Sequence, residues 1–217
     1  MAFGANAFVS EIQNQGVLHL NRFLVSFGNI PGLAASQNIN LKERLTMRAE
    51  AVRLPTAVFA NADSIGPRAG YGPIESIPYG VVFDEIPITF SVDGHAEVHR
   101  FFYEWTNLIV NYRAQGQRYN SVSSINNAKA YEVEYKDNYV TDIEIRIYEP
   151  HCKVEENIDE YIMRVKLYRA HPRLLPTLDM SWEDRNQYAR FTVPFVYTDF
   201  EVFHKYNYNG KGIKPQQ

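Results

Sequence analysis

Two histidines, His95 and His99, come nearest in spacing to a known catalytic motif. Residues four positions apart share one face of a helix, and the metalloprotease motif H-E-x-x-H binds zinc in this way. Here the acid is Glu97, which would lie about 200° around the helix axis from both histidines, because each residue turns a helix by about 100°. Glu97 therefore cannot be the general base of a metal held by that pair. We interpret the histidines as flanking a buried helix face; the alternative is a metal-binding β-barrel enzyme that uses His95 and His99.

The other candidate motifs fit catalysis or ligand binding poorly. His151 and Cys152 are adjacent, and neighbouring side chains on a strand point to opposite faces, so they do not form a nucleophile–base pair. The glycines within residues 66–72 are accompanied by Pro67 and Pro73, which lack the amide donors that a phosphate-binding loop requires. A single cysteine excludes an intrachain disulfide and a multi-cysteine zinc site. We therefore predict no enzymatic activity, no catalytic residue, no metal site and no cofactor, and we assign no role to Cys152.

The composition is that of a globular, aromatic-rich protein. Of the 217 residues 45% are hydrophobic, and 15 Tyr and 13 Phe favour β-strands. The formal net charge of −3 gives no support to a nucleic-acid clamp, which usually has a basic domain or stripe. No apolar run approaches the length of a membrane span, about 18 residues, and the N-terminal segment lacks the basic and apolar parts of a signal peptide. We expect neither a membrane segment nor specific DNA binding.

Alternating apolar residues predict a series of antiparallel strands. The first covers residues 21–28, with Phe23, Val25 and Phe27 on one face. Further strands are predicted at residues 48–60 (with a break at Leu54-Pro55), 81–92, 160–169 and 187–203. A hairpin is predicted from residues 129–136 and 138–148, with Ile143, Ile145 and Ile147 inward. Long loops are predicted at residues 29–46 and 61–79, where prolines and glycines are frequent.

One helix follows the predicted strand at residues 81–92. Its apolar residues recur at the i, i+3, i+4 and i+7 spacing of a single buried face. Asp93 is the predicted N-cap and Gly116 the predicted end. The predicted helix core consists of Val98, Phe101, Phe102, Trp105, Leu108 and Ile109.

These elements predict a mainly β protein. The fold class is an antiparallel β-barrel or sandwich with one docked α-helix and long loops. We expect an N-terminal arm at residues 1–20, a β-barrel domain at 21–203 with insert loops at 29–46 and 61–79, and a flexible C-terminal tail at 204–217.

Several segments, in the same order, resemble the inner-tube proteins of contractile bacteriophage tails. The opening strand NRFLVSF is similar to that family's N-x-F-x-V strand, and a strand ending in Leu-Pro follows as AVRLP. In that family the next features are a strand, a polar turn and a helix with an aromatic-x-x-Trp pattern. An L-D-W-(D/S)-x-x-N block and a Tyr-rich strand close the family pattern. The corresponding segments are FDEIPITFSVDG at residues 83–94, RFFYEW at 100–105, LDMSWEDRNQY at 178–188 and FTVPFVYTDF at 191–200.

The resemblance implies a phage tail-tube fold whose inner strands join those of neighbouring copies. A six-fold ring would then surround a channel, and stacked rings would conduct the viral DNA during ejection without binding it specifically. The implied partners are further copies of the chain and other tail-tube, baseplate, sheath or tape-measure proteins. The implied location is the virion tail, after assembly in the host cytoplasm. The related ring protein of type VI secretion is the alternative with the same fold.

The wall of such a channel must not retain a polyanion, so its side chains should be acidic or neutral. The outward face of the predicted 129–148 hairpin carries four acids against Lys136 and Arg146. We therefore predict that this hairpin lines the channel. The predicted lumen-facing residues are Glu132, Glu134, Asp142 and Glu144.

The chain has extra material relative to a minimal tube protein, in the arm, the two insert loops and the tail. Two roles fit this difference: a decorated main tube subunit, or a baseplate protein that initiates the tube. We expect the contacts between successive rings in the arm and in the loop 61–79. The candidate inter-ring residues in that loop are Gly66, Pro67, Tyr71 and Pro73.

Overall fold

In a computed structural model of the chain, the described residues are 9, 18–33, 45–64, 75–112, 131–148, 161–175, 177–178, 180 and 188–205. They form nine β-strands and two helices, with a further helical turn at residues 45–48. The strands are β1 (Phe23–Phe27), β2 (Ala49–Val52), β3 (Ala57–Ser64), β4 (Glu75–Phe83), β5 (Ile86–Ser91), β6 (Thr141–Tyr148), β7 (Tyr161–Pro172), β8 (Arg190–Val196) and β9 (Asp199–His204). The helices are α1 (Glu97–Ile109) and α2 (Lys136–Tyr139).

The strands form two sheets. The larger sheet has seven strands in the order β1-β6-β7-β8-β5-β2, with β9 also paired to β7, and the smaller sheet consists of β3 and β4. The β2–β5, β3–β4, β5–β8 and β7–β8 pairs are antiparallel. The predicted mainly β, antiparallel fold class is therefore confirmed. None of the helices in the described part of the chain is long and apolar enough to cross a membrane.

The chain divides into two compact units. The larger unit consists of Val25–Glu144 and Lys166–Glu201, and the smaller of Met1–Leu24, Ile145–Val165 and Val202–Gln217. In the smaller unit, backbone hydrogen bonds join its segments: Tyr148 N–H donates to the Arg22 carbonyl and Lys205 N–H to the Ile162 carbonyl. The predicted arm, domain and tail boundaries stay a prediction.

The core of the larger unit is an aromatic cluster between α1 and the strands β5 and β8. The Phe102 ring lies 5.1 Å from the Phe90 ring and 6.1 Å from the Phe195 ring, measured between centroids. Trp105 stacks on Phe102 at 6.2 Å and is fully buried. Five of the six predicted helix-core residues are buried, and Ile109 is half-buried.

The helix ends differ from the prediction. The N-cap position is Ala96, with a left-handed φ of 52°, rather than Asp93. Asp93 still stabilises the first turn, because its Oδ1 accepts a hydrogen bond from Val98 N–H at 3.3 Å. The helix ends at Ile109, and Gly116 lies outside the described residues. The early end follows from strand-like pairing, since the extended Val110 forms an antiparallel bridge with Val133.

The predicted hairpin around residues 136–138 is wrong. These residues belong to the one-turn helix α2, and β6 begins only at Thr141. The segment before α2 pairs with the end of α1, where Glu134 N–H donates to the Ile109 carbonyl at 3.0 Å. The Lys-Asp-Asn sequence fits a tight hairpin turn and a helical turn equally well, and pairing of the preceding segment with α1 selects the helical turn. The alternation within β6 is confirmed, because Ile143, Ile145 and Ile147 are buried.

Two other strand predictions are corrected in their extent. Residues 61–64 and 75–79, predicted as loop, are strand in β3 and β4; residues 65–74 lie outside the described residues. The predicted final strand 187–203 is two strands, β8 and β9, separated at residues 197–198. The break at Leu54-Pro55 is confirmed, because β2 ends at Val52 and β3 begins at Ala57. In β8 and the residue after it, the inward set Phe191, Val193, Phe195 and Tyr197 is buried as predicted.

Two prolines lie opposite each other in the middle of the larger sheet. Pro87 of β5 is paired with Pro194 of β8, although a proline cannot donate to the ladder and is usually confined to edges and bulges. The Pro87 carbonyl accepts from Arg53 N–H and the Pro194 carbonyl from Arg173 N–H, both outside the β5–β8 pair. The two residues therefore form a non-hydrogen-bonded pair, which needs no N–H from either proline.

Replacing Trp105 tests the aromatic core. Trp105→Ala should lower the free energy of unfolding by about 3–5 kcal/mol, because it empties a fully buried site. Trp105→Phe should cost less, since an aromatic ring remains and the main loss is the hydrogen bond from Nε1 to the Tyr139 carbonyl. Urea denaturation followed by circular dichroism measures both. Equal losses in the two variants would contradict the proposed packing role of the ring.

Candidate assembly surface

The two histidines are not the pair on one helix face that the sequence spacing suggested. His95 is exposed in the turn before α1, whereas His99 lies within the helix, so the two side chains do not share a helix face. The His99 ring makes an edge contact with Phe191, at 6.2 Å between centroids. Among the described residues no group of three or more His, Cys, Asp or Glu side chains could hold a metal ion. His151 and Cys152 lie outside the described residues.

The most unusual surface is the two-stranded sheet of β3 and β4, here called the hairpin. Its strands pair over eight positions, from Ala57↔Phe83 at the root to Ser64↔Glu75 at the far end. A register shift between Ala60 and Asn61 leaves Tyr79 without a partner in the ladder, which is the pattern of a β-bulge. The residues that connect β3 and β4 include the inter-ring candidates Gly66, Pro67, Tyr71 and Pro73, which lie outside the described residues.

Both faces of the hairpin carry exposed apolar side chains. Paired residues share a face, so Phe59 and Val81 lie on one side and Val58 and Val82 on the other. Phe59 is 62% exposed and Tyr79 is 74% exposed. Ile77, Val58, Val81 and Val82 are each exposed by about half. An apolar patch of this kind, present on two opposite faces, is typical of an interaction site.

The charge and the backbone pairing of the hairpin are also typical of an interaction site. The described hairpin residues include two acids, Asp63 and Glu75, and no lysine or arginine. The hairpin is a sheet of its own, so the outer edges of β3 and β4 have no neighbouring strand among the described residues. Isolated two-stranded hairpins are marginally stable in water, and open edges are templates for another strand. The hairpin is therefore suited to being covered by a second polypeptide.

A second feature is a charged surface on β6 and β7. Asp142 Oδ2 pairs with Lys166 Nζ at 3.2 Å, and its Oδ1 accepts from the backbone N–H of Arg169 at 3.2 Å. Arg169 has a left-handed φ of 54°, uncommon for a non-glycine residue within a strand. The Arg169 guanidinium also pairs with Asp137 of α2 at 2.5 Å. The Asp142 carboxylate thus supports the irregular backbone of β7. At this point the strand that neighbours β7 changes from β8 to β9.

The same surface continues to β9. The Tyr168 hydroxyl donates to Glu201 at 2.9 Å, and this hydrogen bond is the main cause of the raised pKa of Tyr168. The charges of the larger unit on this surface are therefore mostly paired. In the smaller unit, the guanidinium of Arg164 lies 4.4 Å from the Phe203 ring centroid and 5.4 Å from that of Tyr161.

Of the four predicted lumen residues, Glu134 is buried, whereas the other three are at least partly exposed. Asp142 and Glu144 lie on the outward side of β6, where they alternate with buried isoleucines. Glu132 and Glu134 precede α2 and belong to no hairpin with β6. Glu134 is buried, and its Oε1 accepts from Asn138 Nδ2 at 3.0 Å. The premise of a single acidic hairpin face is therefore wrong, and Asp142 and Glu144 share the outward side of β6.

The apolar hairpin was missed by sequence reasoning. Its signal is present in Val58, Phe59, Val81 and Val82, which are strand-forming residues at both ends of the predicted loop. The proline and glycine within β4, Pro78 and Gly80, favour a loop when each is taken alone. Both are tolerated because β4 is an edge strand.

Both the sequence and the fold match known proteins. The sequence profile described as phage tail tube protein matches residues 18–203. A chain in the cryo-EM structure of an extracellular contractile injection system, the PVC sheath–tube complex in the extended state, matches with a TM-score of 0.54 and 15% identity, covering 90% of this chain and 97% of that one. No curated protein matches the sequence.

Two chains from the anti-feeding prophage (AFP) are also similar in fold. One, from the six-fold symmetrised baseplate, has a TM-score of 0.53 at 11% identity and covers 87% of this chain and 96% of that one. The other, from the cap that terminates the AFP tube, has a TM-score of 0.53 at 16% identity and covers 88% and 93%.

Substitutions at Asp142 test its support of the β7 backbone. Asp142→Ala should lower the free energy of unfolding by about 1–2 kcal/mol, because it removes the acceptor of Arg169 N–H and the counter-ion of Lys166. Asp142→Asn should cost less, since the amide oxygen can still accept from Arg169. Lys166→Met serves as the matched control for loss of the ion pair alone. Chemical denaturation measures all three, and equal losses for Ala and Asn would show that the backbone hydrogen bond contributes nothing.

Proposed function

The chain belongs to the phage tail tube protein family, and on that premise we propose that its copies close into hexameric rings that stack as the inner tube of a contractile tail. The observation that carries the proposal is the hairpin, whose two apolar faces and open edges require a covering surface. In a tube of identical subunits that surface is supplied by the neighbouring copy. Each copy then presents a hairpin on one side and receives one on the other, which is the head-to-tail arrangement that generates closed rings.

The similar structures support the finer parts of this proposal. A chain of similar fold occurs in a baseplate with six-fold symmetry, which supports a ring of six. Another occurs in a sheath–tube complex, which supports a contractile tail with a sheath among the partners. Chains of this fold are found in a tube, a baseplate and a tube cap, so the fold does not separate a main tube subunit from a tube initiator. Extended tubes formed by the purified protein would assign the first role, and single rings the second.

We place the channel wall on the outward side of those parts of β6 and β7 that belong to the larger unit. This surface is polar, and in the larger unit its acids Asp142 and Glu144 accompany Lys166, which is paired. A wall with few free cations would let DNA pass without retaining it, because phosphate affinity rises with each unpaired Lys or Arg contact. The connection between β3 and β4, with Gly66, Pro67, Tyr71 and Pro73, is the proposed contact between successive rings. The proposed site of assembly is the host cytoplasm, where the tube would join baseplate and tape-measure proteins.

An aspartate within the hairpin tests the self-association surface. Val82→Asp should raise the protein concentration needed for ring or tube formation by more than about tenfold, or about 1.4 kcal/mol per contact, because a charge would be buried between copies. The melting temperature should be nearly unchanged, since Val82 is 54% exposed in the isolated chain. Sedimentation and negative-stain electron microscopy measure assembly.

Met47→Asp is the matched control, since Met47 is apolar, more exposed than Val82 and outside the hairpin. It should assemble as the unsubstituted protein does. Normal assembly of Val82→Asp would contradict the proposed role of the hairpin.

Thiol accessibility tests the position of the channel wall. In a Cys152→Ser background, Glu144→Cys in assembled tubes should react with a small maleimide and resist one coupled to a globular protein too large to enter the channel. Dissociated subunits should react with both. Reaction of Glu144→Cys in intact tubes with the large reagent would place β6 on the outside of the tube.

A further inference from the structure

In the described part of the chain, one aromatic side chain attaches the hairpin to the rest of the larger unit. Among the described residues, every ring contact that involves β3 or β4 is made by Phe83, the last residue of β4. The other aromatic side chains of the hairpin, Phe59 and Tyr79, are exposed. The hairpin therefore joins the rest of the unit at its root, where Phe83 makes these aromatic contacts.

Phe83 contacts two aromatic residues at the junction of β8 and β9. Its ring stacks with Tyr197 at 5.8 Å between centroids and an interplanar angle of 29°, and it meets the edge of Phe200 at 5.4 Å and 80°. Tyr197 and Phe200 also contact each other, at 6.1 Å and 84°. Three rings in mutual contact, called here the aromatic triad, resist rotation about any one of them, because stacked and edge-on pairs have specific geometries.

The Tyr197 end of the triad is held in place by burial and by backbone pairing. Tyr197 is buried, and the burial of its hydroxyl is the main cause of its raised pKa. The next residue is fixed by a backbone hydrogen bond, in which Thr198 N–H donates to the Tyr168 carbonyl at 3.0 Å. By contrast, the root of the hairpin itself is closed by a long hydrogen bond, from Asp84 N–H to the Thr56 carbonyl at 3.5 Å. Beside it, Glu85 forms an exposed ion pair with Arg173, and such pairs contribute little to rigidity.

We propose that the aromatic triad of Phe83, Tyr197 and Phe200 sets the direction in which the hairpin projects, and so controls assembly from outside the contact surface. These are positioning residues: they act through the hairpin rather than by touching the neighbouring copy. The inference rests on the proposed function, in which the hairpin is received by a second copy of this chain. A hairpin that samples many directions presents the correct one for only part of the time, and its apparent affinity falls by that fraction.

The direct test measures the direction of the hairpin in unassembled protein. Spin labels at Tyr79→Cys on the hairpin and Met47→Cys outside it, in a Cys152→Ser background, report their distance distribution by pulsed electron paramagnetic resonance. Phe83→Leu should broaden the distribution, because a flexible aliphatic chain cannot stack on Tyr197. Tyr197→Phe keeps the ring and should leave the distribution unchanged. An unchanged width in Phe83→Leu would overturn the inference, whether or not the protein assembles.

The second test separates positioning from stability. Phe83→Leu should raise the concentration needed for assembly about tenfold, as expected if the competent direction is populated about a tenth of the time, and Phe83→Tyr should restore it. Phe102→Leu, in the buried core, should lower the melting temperature more than Phe83→Leu and still assemble normally below its transition. If the concentration needed for assembly instead rose as the melting temperature fell across all these variants, the triad would act only through stability. Failure of the unsubstituted protein to form rings would instead contradict the proposed function.

Discussion

The packing of Phe102 against the sheet is the interaction on which the larger unit depends. Its ring contacts Phe90 of β5, Phe195 of β8 and Trp105 of its own helix. These contacts fix α1 on the strands that form the middle of the sheet. Trp105 then extends the same cluster to α2, by donating a hydrogen bond to the Tyr139 carbonyl. The elements that carry the proposed surfaces, β4 and β6, are joined in sequence to β5 and α2, and so start from this core.

In contrast to Phe102, the apolar side chains of the hairpin lie outside the core. A monomeric protein would bury Phe59 or replace it by a polar residue, since large exposed patches favour aggregation. In a self-assembling subunit the same residues are kept exposed during folding and covered later. The two acids near the far end of the hairpin, Asp63 and Glu75, keep this surface from being wholly apolar before assembly.

Local patterns in the sequence predicted most of the larger sheet, because burial on one face imposes a period of two. The isoleucines of β6 and the inward residues of β8 are examples. Prediction failed where the partner of a segment decides its conformation. Residues 131–135 pair with the end of α1 rather than with β6, and no local pattern records that choice. The single acidic face on which the lumen prediction was based is absent for the same reason, since Glu134 is buried and accepts a hydrogen bond from Asn138 of the helical turn. The hairpin was missed since strands exposed on both faces lack the alternation that marks a half-buried strand.

The opposed prolines of β5 and β8 have a consequence for the way the sheet can be misaligned. Pro87 and Pro194 tolerate each other only at a position where neither has to donate across the pair. Sliding either strand by one residue would turn a ring nitrogen toward a carbonyl that requires a donor, and would also invert which side chains face Phe102. The proline pair thus disfavours slippage of β5 against β8. For a tail tube protein, a bias against shifted alignments favours the same subunit shape in every copy.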